Sequence, residues 1–164
     1  MAEPRTYYYE TEIDWKGGTE GNLDAAGLLP IDVGAPPEFQ GRSGVWSPEQ
    51  LLVAALNSCY MLTFLAVAKF SKVEVVKFSS TATGKLEKTE SGPYQITEIV
   101  VKPRIVIASV NDLSRMPRIV EKAKENCFVS NSIKSAIKIL PEIFHQQTPA
   151  SPCPLGQPEP SSAS

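Results

Sequence analysis

Cysteine and histidine are scarce in this chain: three of the first and one of the second among 164 residues. Cys59, Cys127 and Cys153 are too few and too unevenly placed for a disulfide framework. His145 stands alone, so no His/Cys cluster exists to hold a metal, and neither a metal nor a cofactor is expected. An excess of one charge is also lacking. Sixteen Lys and Arg face 18 Asp and Glu, a net charge of -2, which gives no electrostatic case for nucleic acid or an anionic membrane surface. The opening residues, MAEPRTYYYETE, are polar and mixed in charge, with no apolar leader core. A cytoplasmic protein with reduced thiols is the expectation. There are no internal repeats. The length suits one domain, read here as residues 1–145. Residues 146–164, rich in Pro and Ser, are read as a mobile tail that carries Cys153.

One long apolar run stands out against this background. Trp46 to Phe70 reads WSPEQLLVAALNSCYMLTFLAVAKF and holds no charge from Leu51 to Ala68. Eighteen uncharged residues reach the lower limit for a membrane span. Asn57, Ser58, Cys59, Tyr60 and Thr63 occupy its centre, however, where hydrocarbon penalises unpaired polar groups. The run is therefore read as a core helix rather than a span. Ser47 is a suitable N-cap, Pro48 suits the first helical position, and Gln50 completes a capping box with Ser47. A six-turn helix apolar on all sides needs burial all round. In a chain of this length, a second subunit is the expected source of the missing cover.

The rest of the chain alternates strands and turns. Tyr7–Trp15 alternates apolar and acidic residues, a half-buried strand. Short strands are expected near residues 22–25 and 29–33, then a Gly/Pro-rich ordered loop over 34–46. Two long strands follow the helix over about 72–90 and 94–109, joined as a hairpin through ESGP. Pro103 places the second at an edge or a bulge. Leu113, Met116, Ile119, Val120 and Ala123 keep the helical period, and SIKSAIKIL reads as a closing strand. The order βββαββαβ makes the fold class α+β.

Three residues are candidates for chemistry. Cys59, in mid-helix, and Cys127, where the second helix ends, are each either a small buried hydrophobe or a reactive thiol. Glu49 lies in the first turn, where the helix dipole already favours a carboxylate. Ten residues of continuous helix place it about 15 Å from Cys59 along the axis. If the two cooperate, Glu49 must therefore serve a cysteine of another chain, brought near by an antiparallel partner helix.

Together these residues resemble the family of osmotically inducible protein C and organic hydroperoxide resistance protein. The likeness spans roughly residues 7–144. It rests on PPEFQGRSGVWSPEQLLVAALNSCYMLTF, close to the pattern Phe-x-Gly, Trp/Thr-x-Pro-Glu-x-Leu and Ala-x-x-x-Cys. It rests also on AKENCFVSNSI, like Ala-x-x-x-Cys-Pro-x-Ser. The resemblance implies strongly curved antiparallel sheets around long central helices in an interlocked homodimer. It further implies a two-cysteine peroxidase of organic hydroperoxides, with Cys59 peroxidatic, Cys127 resolving, and Glu49 organising the site. A small dithiol or a lipoylated protein would be the reductant. Phe39, Trp46, Leu56, Tyr60 and Phe64 are the apolar residues expected to favour an organic substrate, although core packing is the better account of each taken singly.

Two departures from the pattern matter. Thr19, in WKGGTEG, stands where an arginine is expected, and without that charge Cys59 in an apolar setting should have a raised pKa. Arg42 is the nearest substitute cation, or else a solvated loop charge. Phe128 follows Cys127 in place of proline. These departures leave open a second reading, a dimer without peroxidase activity that binds an apolar ligand in its interface pocket or acts as a redox sensor.

Overall fold

A computed structural model describes residues 5–90 and 92–146, so the 147–164 part of the expected tail, with Cys153, lies outside the described residues. Ten regular elements follow one another: β1 (Glu12–Gly17), β2 (Glu20–Asp24), β3 (Ile31–Gly34), α1 (Pro48–Phe70), β4 (Val75–Lys88), β5 (Tyr94–Ile107), α2 (Met116–Glu125), α3 (Phe128–Ser132), β6 (Ala136–Ile139) and β7 (Glu142–His145). The fold is α+β, as expected. The capping box that starts α1 is present: Gln50 N–H donates to Ser47 Oγ at 3.2 Å, and Ser47 N–H donates to Gln50 Oε1 at 3.1 Å.

The first sheet, in the order β1-β2-β3, is antiparallel throughout. β1 is shorter than the alternation of residues 7–15 suggests. Its last partner, Glu12 opposite Asp24, is where β2 ends and the chain turns at Ala25–Leu28, so residues 7–11 have no strand to pair with. Burial differs too. Trp15 is 78 % exposed and Ile13 faces solvent, so the alternating strand lacks cover within its own chain.

The second sheet carries the core. β4 and β5 form a long antiparallel hairpin, and β6 and β7 both lie on the other side of β5, running parallel to it. The sheet is thus antiparallel along its long hairpin and parallel on its other side, because α2 and α3 form a crossover that returns the chain in the direction of β5. Pro103 is not at an edge, since β5 has neighbours on both sides. Val101 and Ile107 accept from Leu140 and Gln146 on the β6–β7 side. Alternation makes Pro103 face that same side, between the stretches paired with β6 and β7. No ladder bond is lost there.

Leu56, Tyr60, Phe64 and Ala68, spaced four residues apart, form the buried stripe of α1. They pack with Ile99, Val101, Ile105 and Ile107 of β5 and Met116, Ile119 and Ala123 of α2. Each large side chain so buried contributes about 1.5–3 kcal/mol. The polar centre of α1 is satisfied locally. Ser58 donates to the Ala54 carbonyl and Thr63 to the Cys59 carbonyl, both at 2.8 Å, and Ser80 of β4 donates to Asn57 Oδ1 at 2.5 Å. The helix is long and apolar enough to cross a membrane. Here one face is packed on sheet and helix, while Leu62, on the far face, is 63 % exposed.

The Tyr60 hydroxyl is buried with no hydrogen-bond partner among the described residues, and burial pushes its pKa up. Removing an unsatisfied buried hydroxyl relieves a desolvation cost of about 1–3 kcal/mol. Tyr60→Phe is therefore expected to leave the fold intact and raise the thermal midpoint by a few degrees, measured by calorimetry.

A two-thiol site and a separate groove around Glu49

Cys59 and Cys127 meet. They come from α1 and from the residue just before α3, 68 positions apart in sequence, and each thiol influences the ionisation of the other. Both are free rather than joined as a disulfide. The turn between α2 and α3 brings them together: Cys127 N–H donates to the Lys124 carbonyl, and the Cys127 carbonyl accepts from Asn131 N–H. Cys127 is fully buried, whereas Cys59 is partly accessible.

The two thiols are unequal. Burial pushes the Cys59 pKa up, but the nearby polar groups, the backbone N–H of Val129, the thiol of Cys127, the backbone N–H of Phe128 and Thr63, outweigh it, so the net shift is downward. This overturns the expected rise, because amide and thiol donors favour the thiolate without a cation. Burial and the neighbouring Cys59 together push Cys127 upward, against the pull of Ser130. The arrangement sets a more acidic, accessible thiol beside a less acidic, buried one. Thr63 lies one helical turn beyond Cys59 and could have been found from that spacing. The amides of Phe128 and Val129 could not, since every residue but proline carries one.

Glu49 and Arg42 stand elsewhere. They line a groove of about 1030 Å³ whose walls include Phe39, Trp46, Asn57 and Tyr94 and neither cysteine. Because α1 is continuous, the axial separation of Glu49 from Cys59 within one chain holds as expected. Glu49 Oε2 is buried with no hydrogen-bond partner among the described residues. Thr19 and Glu49 line a second cleft of about 540 Å³, so the side chain found in place of arginine does lie on the Glu49 side. Arg42 forms a bidentate pair with Glu20, Nε to Oε1 at 3.0 Å and Nη2 to Oε2 at 3.2 Å. The loop behind it is tight: a Cβ on Gly41 would stand 1.6 Å from the Ala35 carbonyl oxygen. Of the expected pocket residues, Phe39 and Trp46 line the groove. Leu56, Tyr60 and Phe64 do not; they are fully buried in the core.

Paired cysteines of unequal acidity, on a central helix and at the start of a short one in an α+β fold, define a dithiol site capable of reversible oxidation. Residues 41–142 match the profile of the OsmC-like protein family, and the chain belongs to that family. It is 22% identical over 138 residues to the uncharacterized protein YmaD of Bacillus subtilis strain 168, covering 81% of this chain and 91% of that protein. Among solved structures, an OsmC-like protein of unknown function from Vibrio cholerae O1 biovar eltor is similar, with a TM-score of 0.75 and 25% identity over 85% of this chain and all (100%) of that one. An organic hydroperoxide resistance protein from Legionella pneumophila superposes with a TM-score of 0.66 at 25% identity, covering 86% of this chain and 99% of that one.

Proposed function

We propose that the protein is a cytoplasmic, homodimeric thiol peroxidase that reduces organic hydroperoxides by a two-cysteine mechanism. The observation that carries this reading is the juxtaposed Cys59–Cys127 pair of free thiols, in which the more accessible thiol is the more acidic. The Cys59 thiolate attacks the terminal oxygen of the hydroperoxide; the O–O bond breaks, an S–O bond forms, and the alkoxide leaves as an alcohol after taking a proton. Cys127 loses its proton and attacks the sulfenic sulfur, forming the disulfide and releasing water. A small dithiol or a lipoylated protein then restores both thiols by exchange and leaves as its own disulfide. No cofactor or metal enters the cycle.

The homodimer supplies what one chain lacks. The exposed apolar face of α1 around Leu62, together with Trp15 and Ile13 on the first sheet, is the surface the partner covers. A partner helix running antiparallel brings its Glu49 to this chain's Cys59 site, and the groove formed by Phe39 and Trp46 admits the organic part of the substrate. Leu62→Glu places a charge on that face in both copies. It should weaken dimerisation on the order of a thousandfold, from two lost leucine burials of about 2 kcal/mol each. Light scattering at micromolar concentration would find a monomer; an unchanged dimer would contradict this interface.

Arg42 remains the one cation considered as a substitute for the family arginine. Its engagement with Glu20, and the amide donors already on Cys59, argue that it is not needed to hold the thiolate. Arg42→Ala should therefore leave the Cys59 pKa within about 0.7 unit and the rate of sulfenic acid formation within about fivefold, an exposed pair being worth about 1 kcal/mol or less. A larger loss would assign the cation's role to Arg42.

A second reading, binding of an apolar ligand, is favoured by one feature: the groove lined by Phe39, Trp46 and Tyr94 does not include either cysteine. Titration with a fluorescent fatty acid, compared between wild type and Trp46→Ala, tests it.

A further inference from the structure

We propose that the cleft beside Glu49 is a binding site for a small organic cation, an amidinium or guanidinium group carried on an apolar body. Neither cysteine lines this cleft, so the binding itself does not depend on peroxidase activity. The inference rests on the peroxidase reading only for its consequence, that a cation held by Glu49 lies near a Cys59 of the dimer.

Three observations carry it. First, Glu49 Oε2 is buried with no hydrogen-bond partner among the described residues. A carboxylate oxygen can only accept, and a buried charge is ordinarily paired, so this atom calls for a donor. The first turn of α1 favours a carboxylate there but supplies Oε2 with no bond. Second, Glu49 lines a cavity of the size that small ligands use, about 540 Å³. Ile13, Trp15, Phe39 and Pro48 are its apolar walls, and Thr19 is a short neutral one. Third, no Lys, Arg or His lines that cleft among the described residues. Arg42, in the adjoining groove, is taken up by both carboxylate oxygens of Glu20. The charge of Glu49 is left without a counterpart on either wall.

The walls select among donors. An anion is disfavoured, since Glu20 and Glu49 both line the cleft. A neutral amide or alcohol could bond Oε2 but would leave its charge uncompensated. A simple ammonium ion is strongly hydrated and loses that water on entering an apolar slot. An amidinium or guanidinium group is planar and weakly hydrated, presents paired N–H donors to a carboxylate, and stacks on aromatic faces. Trp15 and Phe39 are the aromatic residues available for that contact.

Ile13 and Trp15 belong to the surface that the partner is proposed to cover, so a bound cation is enclosed from that side. Glu49 and Phe39 also line the larger groove of about 1030 Å³, which gives the apolar body of the ligand a place to lie. The rival occupant is a cationic side chain of the partner subunit, which would fill the same place and exclude a free ligand.

The test is calorimetric titration of the full-chain, reduced protein with benzamidine, benzamide and benzoate, which share one shape and differ in charge. Benzamidine should bind once per chain with a Kd below about 1 mM, within the range for a ligand of its size. Benzamide and benzoate should bind about tenfold more weakly or worse, as expected on losing a charge-assisted hydrogen bond. Glu49→Gln should weaken benzamidine by a similar factor. Benzamide binding as tightly as benzamidine would overturn the proposal, as would a folded Glu49→Gln protein with wild-type affinity. Absence of saturable benzamidine binding at millimolar concentration would overturn it too, in favour of the partner's own cation. Should Glu49→Gln not fold, the comparison of the three ligands on the wild type decides. None of the titrations uses hydroperoxide, so failure here is distinct from failure of the peroxidase reading.

Discussion

Cys59→Ser is expected to lower hydroperoxide consumption by roughly a thousandfold or more, to the background of free thiols, without unfolding the protein. The size of the effect follows from the nucleophile. A thiolate attacks a peroxide oxygen, whereas a serine hydroxyl in the same place stays protonated at any physiological pH. The substitution is small, and Cys59 is only partly buried, so stability should change little. The pH profile of the wild type adds a second signature. Only the ionised thiol reacts, so the rate rises with pH through the Cys59 pKa and is flat above it. Since the site lowers that pKa from its ordinary value, half-maximal reactivity should fall below the pH of an unperturbed cysteine. Stopped-flow measurement of sulfenic acid formation between pH 5 and about 9 checks both, that range bracketing the ordinary thiol pKa.

Cys127→Ser carries the second large effect, of a different kind. The first turnover should survive, because Cys59 and the amides of Phe128 and Val129 remain. Steady-state turnover should stop after one equivalent per site, since no thiol is placed to condense with the sulfenic acid. With excess hydroperoxide the sulfenic acid should then proceed to sulfinic acid, which a dithiol does not reverse. The serine hydroxyl keeps a donor at this position, so the first turnover should stay close to the wild-type rate. Intact mass after graded additions of hydroperoxide distinguishes these species. A Cys127→Ser protein that continues to cycle at the wild-type rate would remove Cys127 from the mechanism.

Much of this site was legible in the residues, and the parts that were not share a physical cause. Ser47, Pro48 and Gln50 announce the start of α1, because caps are local chemistry with few residue solutions. The separation of Glu49 from Cys59 follows from helical rise alone. Leu56, Tyr60 and Phe64, for which core packing is already the better single account, are core, and their four-residue spacing gives them one face and Cys59 another. The parallel placement of β6 and β7 could not be read so directly, because strand direction is set by the α2–α3 crossover and not by composition. Neither could the state of Cys59. The side chains nearby in sequence are apolar and predict a raised pKa, while the groups that lower it include main-chain amides brought from 70 residues away by folding.

The pairing of Cys59 with Cys127 is the claim on which the functional account stands. It is tested most directly by adding one equivalent of cumene hydroperoxide to the fully reduced protein and mapping its peptides by mass under non-reducing conditions. The account predicts a Cys59–Cys127 disulfide, formed within one turnover and absent from Cys59→Ser. Recovery of both thiols reduced, with neither disulfide nor sulfenic acid above the rate in Cys59→Ser, would contradict it.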